Sequence, residues 1–324
     1  MRLRTPGEIV ASLPALLGYH AERSIVLLVL GGERHRLRLT MRLDLSDARD
    51  PAVWRAVTQA FTPGIAQADG DEAVLVLLDG DEESARALNA ALSDVLAEHG
   101  MTMRDVLLVA DGRYRSMLCV DLACCPPDGT PVPLTGAATA AAVSTGKVIL
   151  ANRNELRVEI APPDGQAADR ATKVLALVLS TARHGSLERG IADLSDELDS
   201  ACAAALAGDV PLDQAARLAC LVAVGDYRDQ AYLHLVENGA RAHRALWGSV
   251  CRQLPAQHTV VPHVLFALSA YLQGEGALAT VALEAAEATD AEHPSVTLLS
   301  DILAAGIQPG EVRAALARCM GPQD

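Results

Sequence analysis

Ser24 to Leu30 is an unbroken apolar run, SIVLLVL, which suits a strand covered on both faces. Gly31-Gly32 supplies a turn. Beyond it, Arg36 to Leu45 alternates strictly. Leu37, Leu39, Met41, Leu43 and Leu45 fall on one side, and Arg36, Arg38, Thr40, Arg42 and Asp44 on the other. This period of two predicts a strand with one buried face, joined to the first run as a hairpin. Ahead of both, Thr5-Pro6-Gly7-Glu8 opens a helix with a capping box and an early proline. Ile9, Leu13, Leu16 and Leu17 recur at helical spacing, and Gly18 stops it. Asp50-Pro51 caps a helix carrying Trp54, Val57 and Phe61. Ala73 to Leu78 reads as a third strand, and Asp81 to His99 as a helix with an acidic first turn. Val106 to Ala110 reads as a fourth strand. Asp111-Gly112 is a two-residue hairpin signal, predicting that Arg113 to Val120 returns antiparallel.

These elements predict an α/β domain with a mixed sheet over residues 1–160. Ala137 to Ser144 suits a short helix. Ala161-Pro162-Pro163-Asp164-Gly165 reads as a linker. Residues 166–324 then read as all-helical, with helices near 167–183, 187–207, 211–224, 226–237, 240–254, 259–273, 276–289, 295–305 and 309–319. Prolines at their starts and glycines at their ends set the limits. Ala267 to Pro294 has the small-residue rhythm of a tetratricopeptide unit. The expected fold class is thus an α/β mixed-sheet N-terminal domain followed by an all-α, tetratricopeptide-like helix-pair C-terminal domain.

Half of the 324 residues are hydrophobic, so core formation is not limiting. The 27 basic and 41 acidic residues leave a net charge of −14, which disfavours nucleic-acid binding. No uncharged apolar run approaches 18 residues, so no membrane span is expected. Glu8 and Pro14 interrupt the N-terminal apolar stretch, a poor signal peptide. Seven cysteines, an odd number, then suit free thiols in a reducing cytoplasm.

The densest chemistry lies in DGRYRSMLCVDLACCPPDGTPV, Asp111 to Val132. Cys119, Cys124 and Cys125 are close enough to share a thiol or metal site. However, zinc needs a fourth ligand, and adjacent cysteines rarely both face one ion. No metal and no cofactor are therefore expected. The plainer reading makes Cys119 a core strand residue and the vicinal pair the anchor of a proline-rich turn. His20-Ala21-Glu22 lacks the later P-C-x-x-C of a zinc deaminase. Val143 to Val148 resembles the end of a phosphate loop but has Ala141 at the first glycine position and Val148 at the hydroxyl position.

Several stretches together resemble an actinobacterial family known as domain of unknown function 4192. They are TPGEIVASLPALLGYHAERSIVLLVL, RLDL at Arg42–Leu45, DGRYRSMLC with ACCPPDGTPV, and SAYLQGEGALATVALEAAEATD. That family often carries an aromatic pair after the hairpin arginine, where this chain has Tyr114-Arg115. The resemblance implies an architecture and no mechanism. The residues themselves favour a non-catalytic interaction or regulatory protein holding a protein partner on its helical domain. Tyr227, Arg228, Trp247 and Tyr271 are the candidate contacts. The alternative is an anion or small-ligand sensor, or an enzyme, with a pocket drawn from Tyr19, His20, Arg42, Asp44, Arg113, Cys119, Cys124 and Cys125.

Overall fold

The computed structural model describes residues 5–47, 50–133, 136–144, 148–181 and 194–320. The chain divides into two units, Met1–Arg153 with Ala304–Gly306, and Asn154–Leu303 with Ile307–Asp324. The division lies upstream of the Ala161–Gly165 segment.

In the first unit, α1 (Pro6–Leu17) starts where the Thr5 side chain accepts the Glu8 N–H at 3.2 Å. It ends at Gly18, left-handed at φ 85°. There follow β1 (Ser24–Gly31), β2 (Arg36–Asp44), α2 (Pro51–Gln67), β3 (Glu72–Leu78), α3 (Glu82–Glu98), β4 (Thr102–Ala110), β5 (Arg113–Ser116), β6 (Thr130–Pro131) and α4 (Ala137–Ser144). The carboxylates of Asp50 and Asp81 accept the N–H groups of Ala52 and Ser84, both at 2.8 Å, and so start α2 and α3. The strands form one mixed sheet in the order β2-β1-β3-β4-β5-β6. Only β3 and β4 run parallel, and α3 supplies the crossover that parallel pairing requires.

β1 and β3 are the central apolar strands. Ile25, Leu27, Val29, Leu75 and Leu77 form one core with Trp54, Phe61 and Ile65 of α2 and Leu88, Leu92 and Leu96 of α3. Helix α2 comes close to β2 because Gly64 has no side chain: a Cβ there would lie 2.4 Å from the Met41 sulfur. Leu39, Met41, Leu43 and Leu45 pack against this core as their alternation predicts. Leu37 does not. A bulge between Val29 and Leu30 pairs Leu37 with Leu30, while Leu39 pairs with Val29. One extra residue in β2 thus moves Leu37 to the other face.

β5 is also shorter than its sequence suggests. Pairing stops at Ser116, whose hydroxyl oxygen accepts the N–H groups of Leu118 and Cys119 at 3.2 and 3.0 Å. The side chain draws the backbone into a turn. Cys119 therefore sits in a loop, not in a core strand.

The second unit is helical: α5 (Arg153–Val158), α6 (Gly165–Thr181), α7 (Leu194–Ala207), α8 (Leu212–Val222), α9 (Gly225–Asn238), α10 (Ala240–Gln253), α11 (Val260–Leu272), α12 (Gly276–Asp290), α13 (Pro294–Ala304) and α14 (Pro309–Met320). The start of the helix expected at 187 lies outside the described residues. α11 packs between α10 and α12, while α7 also packs on α10 and α6 on α8. No described helix is long and apolar enough to cross a membrane.

A buried polar chain crosses this helical core. The Trp247 indole N–H donates to His243 Nδ1 at 3.1 Å. The His243 proton then resides on Nε2 and is given to His234 Nδ1 at 2.8 Å. His234 Nε2 lies 3.2 Å from an Asp199 carboxylate oxygen. Trp247 and His243 are wholly buried. Burial, and then the neighbouring His234, lower the His243 pKa to about 3.

Two predictions follow from these cores. In a Trp247→Phe background Trp54 reports on the first unit. Leu75→Ala should cost about 2–5 kcal/mol in urea unfolding, and Leu39→Ala should cost more than Leu37→Ala; the reverse order would place the bulge wrongly. In a Trp54→Phe background Trp247 reports on the second unit. Native His243 stays neutral below pH 6.5 while the unfolded chain takes up a proton there. Its contribution is therefore complete above pH 6.5 and is lost as pH falls toward 3, by about 1.4 kcal/mol per pH unit. His243→Gln should flatten the decline in urea midpoint between pH 6.5 and 5.

Candidate functional site

β3 and β4 end side by side, and each ends in Asp-Gly: Leu78-Asp79-Gly80 and Ala110-Asp111-Gly112. A cleft of about 360 Å³ opens at these carboxyl ends. Its apolar wall comes from α1 (Val10, Ala11, Leu13 and Pro14) with Val109, Val132 and Pro133. Its polar groups are His20, Glu22, Asp79, Asp111 and Thr139. Pro14 lies inside α1 and has no N–H, so the Val10 carbonyl lacks its helical donor at this wall. The Thr139 hydroxyl donates to the Ala11 carbonyl at 2.8 Å and holds α4 on α1. Gly136 permits that approach, since a Cβ there would meet Ala11 backbone atoms at 3.0–3.1 Å.

The rim is conformationally restrained. Asp111 and Gly112 have φ of 50° and 70°, the pair of positive values that a tight hairpin demands. Asp79 has φ 55° and donates its N–H to the Val109 carbonyl at 2.8 Å. Arg23, next to Glu22, has φ 40°. This is a costly conformation for a long side chain, and it is held by its N–H donating to the Asp79 carboxylate at 3.0 Å.

Of the eight pocket residues expected from the sequence, His20 alone lines this cleft. Tyr19 precedes it in an extended bridge to Leu150, so the two side chains diverge. Tyr19 is buried and meets Arg42, Asp44 and Arg153 instead. Burial raises its hydroxyl pKa, and the two arginines oppose that rise. Arg42 donates to the Ser24 hydroxyl at 2.9 and 2.7 Å and pairs with Asp44 at 2.6 Å. It is engaged in structure rather than held out for an anion. Arg113 donates to the carbonyls of Asp128 and Gly129 at 2.7 and 2.8 Å, tying the cysteine loop to β5.

The three cysteines of that loop come together. The sulfurs of Cys119, Cys124 and Cys125 lie within 4.8 Å of one another. The vicinal pair thus shares one focus, against the expectation drawn from its adjacency. Burial first, and then the neighbouring thiols, push the Cys125 pKa up to about 11, although a hydrogen bond with the Ser116 backbone acts the other way. Cys202 and Cys251 are different. They are buried in the helical unit, and burial pushes both thiols up, with Asp199 adding to the rise at Cys202 and Arg252 opposing it at Cys251.

The model of a domain of unknown function, DUF4192, matches residues 6–310. The chain belongs to the DUF4192 family. Comparison with curated proteins and with solved structures gave no match. In this DUF4192 chain Arg115 replaces the aromatic expected after the hairpin. It forms an ion pair with Glu82 in the first turn of α3, so it braces the crossover helix. The four helical candidates are mostly engaged in packing. Trp247 and Tyr227 are buried. The Tyr271 hydroxyl donates to the Ile307 carbonyl, and Arg228 is half-buried beside Asp229 at 3.8 Å.

Asp79 and Asp111 were missed as site residues, although their signal was present: an Asp-Gly closes each parallel strand. The Arg23–Asp79 contact is testable. Asp79→Ala removes this exposed hydrogen bond and should cost about 0.5–1.5 kcal/mol. Arg23→Gly removes the backbone strain and should be neutral or stabilising. Urea unfolding read by Trp54 distinguishes the two; a destabilising Arg23→Gly would show that the conformation is unstrained.

Proposed function

We propose that the α/β unit binds a small organic molecule, with an apolar body and a cationic head, in the cleft at the ends of β3 and β4. The observation that carries this reading is the position of the cleft. In open α/β sheets the space outside the carboxyl ends of parallel strands is where ligands bind, and this chain's cleft lies at the parallel strand pair β3–β4. The lining sets the ligand's charge. It includes Glu22, Asp79 and Asp111 and no arginine or lysine among the described residues. A carboxylate or phosphate would meet like charge there, which speaks against the anion alternative. His20, on the same rim, offers a ring nitrogen that can accept a hydrogen bond from an amine.

A second reading keeps the helical unit as the seat of a protein partner, in a tetratricopeptide-like stack of helix pairs. It draws support from exposed apolar side chains: Leu177, Leu206 and Leu298 on separate helices, and Val224 at the N-cap of α9. The burial of Tyr227 and Trp247 removes the aromatic contacts that would have favoured it most.

Saturation-transfer NMR with n-pentylamine and pentanoate tests the cleft reading, because the two probes share an apolar tail and differ in charge. The amine should take up saturation from the protein and the carboxylate should not. Asp79→Asn with Asp111→Asn should weaken the amine about tenfold, or about 1.4 kcal/mol. Preferential binding of pentanoate, or amine binding indifferent to both substitutions, would sink the proposal.

A further inference from the structure

The loop between β5 and β6 brings three thiols to one point, and nothing in the ligand cleft uses them. We propose that Cys119, Cys124 and Cys125 form a binding site for a thiophilic d10 metal ion, Zn²⁺ or Cu⁺, bound by three thiolates. With Zn²⁺ the fourth position would be open to solvent.

Distance is the first support. A metal–sulfur bond of about 2.3 Å puts tetrahedral sulfurs about 3.8 Å apart. The three sulfurs already lie within 4.8 Å of one another, so closing on an ion needs a contraction of about 1 Å. Among the described residues no histidine or carboxylate joins the group. An all-sulfur set selects soft ions over magnesium or calcium.

The second support is that the backbone already aims the thiols. The Asp121 carbonyl accepts the N–H groups of both Cys124 and Cys125, at 3.1 and 2.8 Å. The Asp121 carboxylate accepts the Ala123 N–H at 2.9 Å. This tight turn folds the vicinal pair back toward Cys119, which is held by its own N–H on the Ser116 hydroxyl at 3.0 Å. On the far side of the loop Arg113 grips two carbonyls. Three thiolates around Zn²⁺ leave one net negative charge at this partly exposed loop.

Binding is an exchange without redox change. Each thiol gives its proton to solvent as its sulfur–metal bond forms, so up to three protons leave per ion and affinity rises with pH. The competing chemistry is oxidation, in which two thiols would lose two electrons and two protons to an oxidant and close a disulfide.

The test uses the full chain, reduced and stripped of metal without oxygen. Co²⁺ is titrated in as a spectroscopic stand-in for Zn²⁺, and Cu⁺ is offered in a parallel arm against a chromophoric chelator. One ion per chain should bind, with proton release and, for Co²⁺, a thiolate charge-transfer band that Zn²⁺ then abolishes. Cys119→Ser, Cys124→Ser and Cys125→Ser should each weaken binding by more than about tenfold, and Cys220→Ser should not. Far-ultraviolet circular dichroism confirms that the variants remain folded. Uptake by Cu⁺ alone would keep the thiolate site and name copper as its ion. Three results would overturn the proposal: no uptake of either ion, uptake that survives Cys119→Ser, or the loss of two free thiols in glutathione buffer in preference to metal binding.

Discussion

Parallel pairing of β3 with β4 is the constraint on which the first unit depends. Parallel strands cannot be joined by a turn, so the chain must cross over through α3. The crossover buries Leu88, Leu92 and Leu96 on the same core as β1 and β3. It also brings two strand ends to the same edge, and the chain leaves both through Asp-Gly. One exit starts α3 and the other turns into β5. The cleft is the space those exits leave under α1. The Asp79 and Asp111 carboxylates of the rim and their positive φ therefore share a cause: both come from redirecting two parallel strands within a few residues of each other.

The helical unit solves a different problem. With so few aromatics, its core is filled with alanine, leucine and valine, and its one tryptophan brings an N–H that must be satisfied. His243 supplies the acceptor and passes its own proton to His234, which reaches toward the exposed Asp199. A single buried donor thereby recruits a chain of polar groups leading to the surface. That chain keeps the core specific near neutral pH and leaves it sensitive to acid, because burial holds His243 in its neutral form.

Much of this was legible. The apolar run of β1, the alternation of β2, the caps at Thr5 and Asp50, the acidic first turn of α3, and the Asp111-Gly112 hairpin all act over a few residues, and local chemistry decides them. What was not legible depends on contacts distant in sequence. Leu37 follows the alternation perfectly, yet a bulge set by pairing with β1 turns it away. Cys119 continues a strand-like stretch, yet the Ser116 side chain stops the strand before it. Trp247 and Tyr227 look like binding aromatics until the packing of α10 and α9 buries them. The expected pocket combined Tyr19, Arg42 and the cysteines; only His20 reached the cleft, because neighbouring residues in extended backbone point opposite ways.

Both candidate sites attach to β5, which has only four residues. Its first end is the Asp111-Gly112 turn on the rim of the cleft. Its last residue, Ser116, opens the cysteine loop. Arg113, opposite Pro131 on β6, grips the loop's far end from within the same strand. A strand this short has little pairing of its own, so its position follows what holds its ends. An ion that tightened the cysteine loop would restrain Ser116 and Arg113 together. Arg113 is bonded in sequence to Gly112 at the cleft rim. The order of the loop and the shape of the cleft would then be linked through the Arg113 and Ser116 side chains and the short backbone of β5.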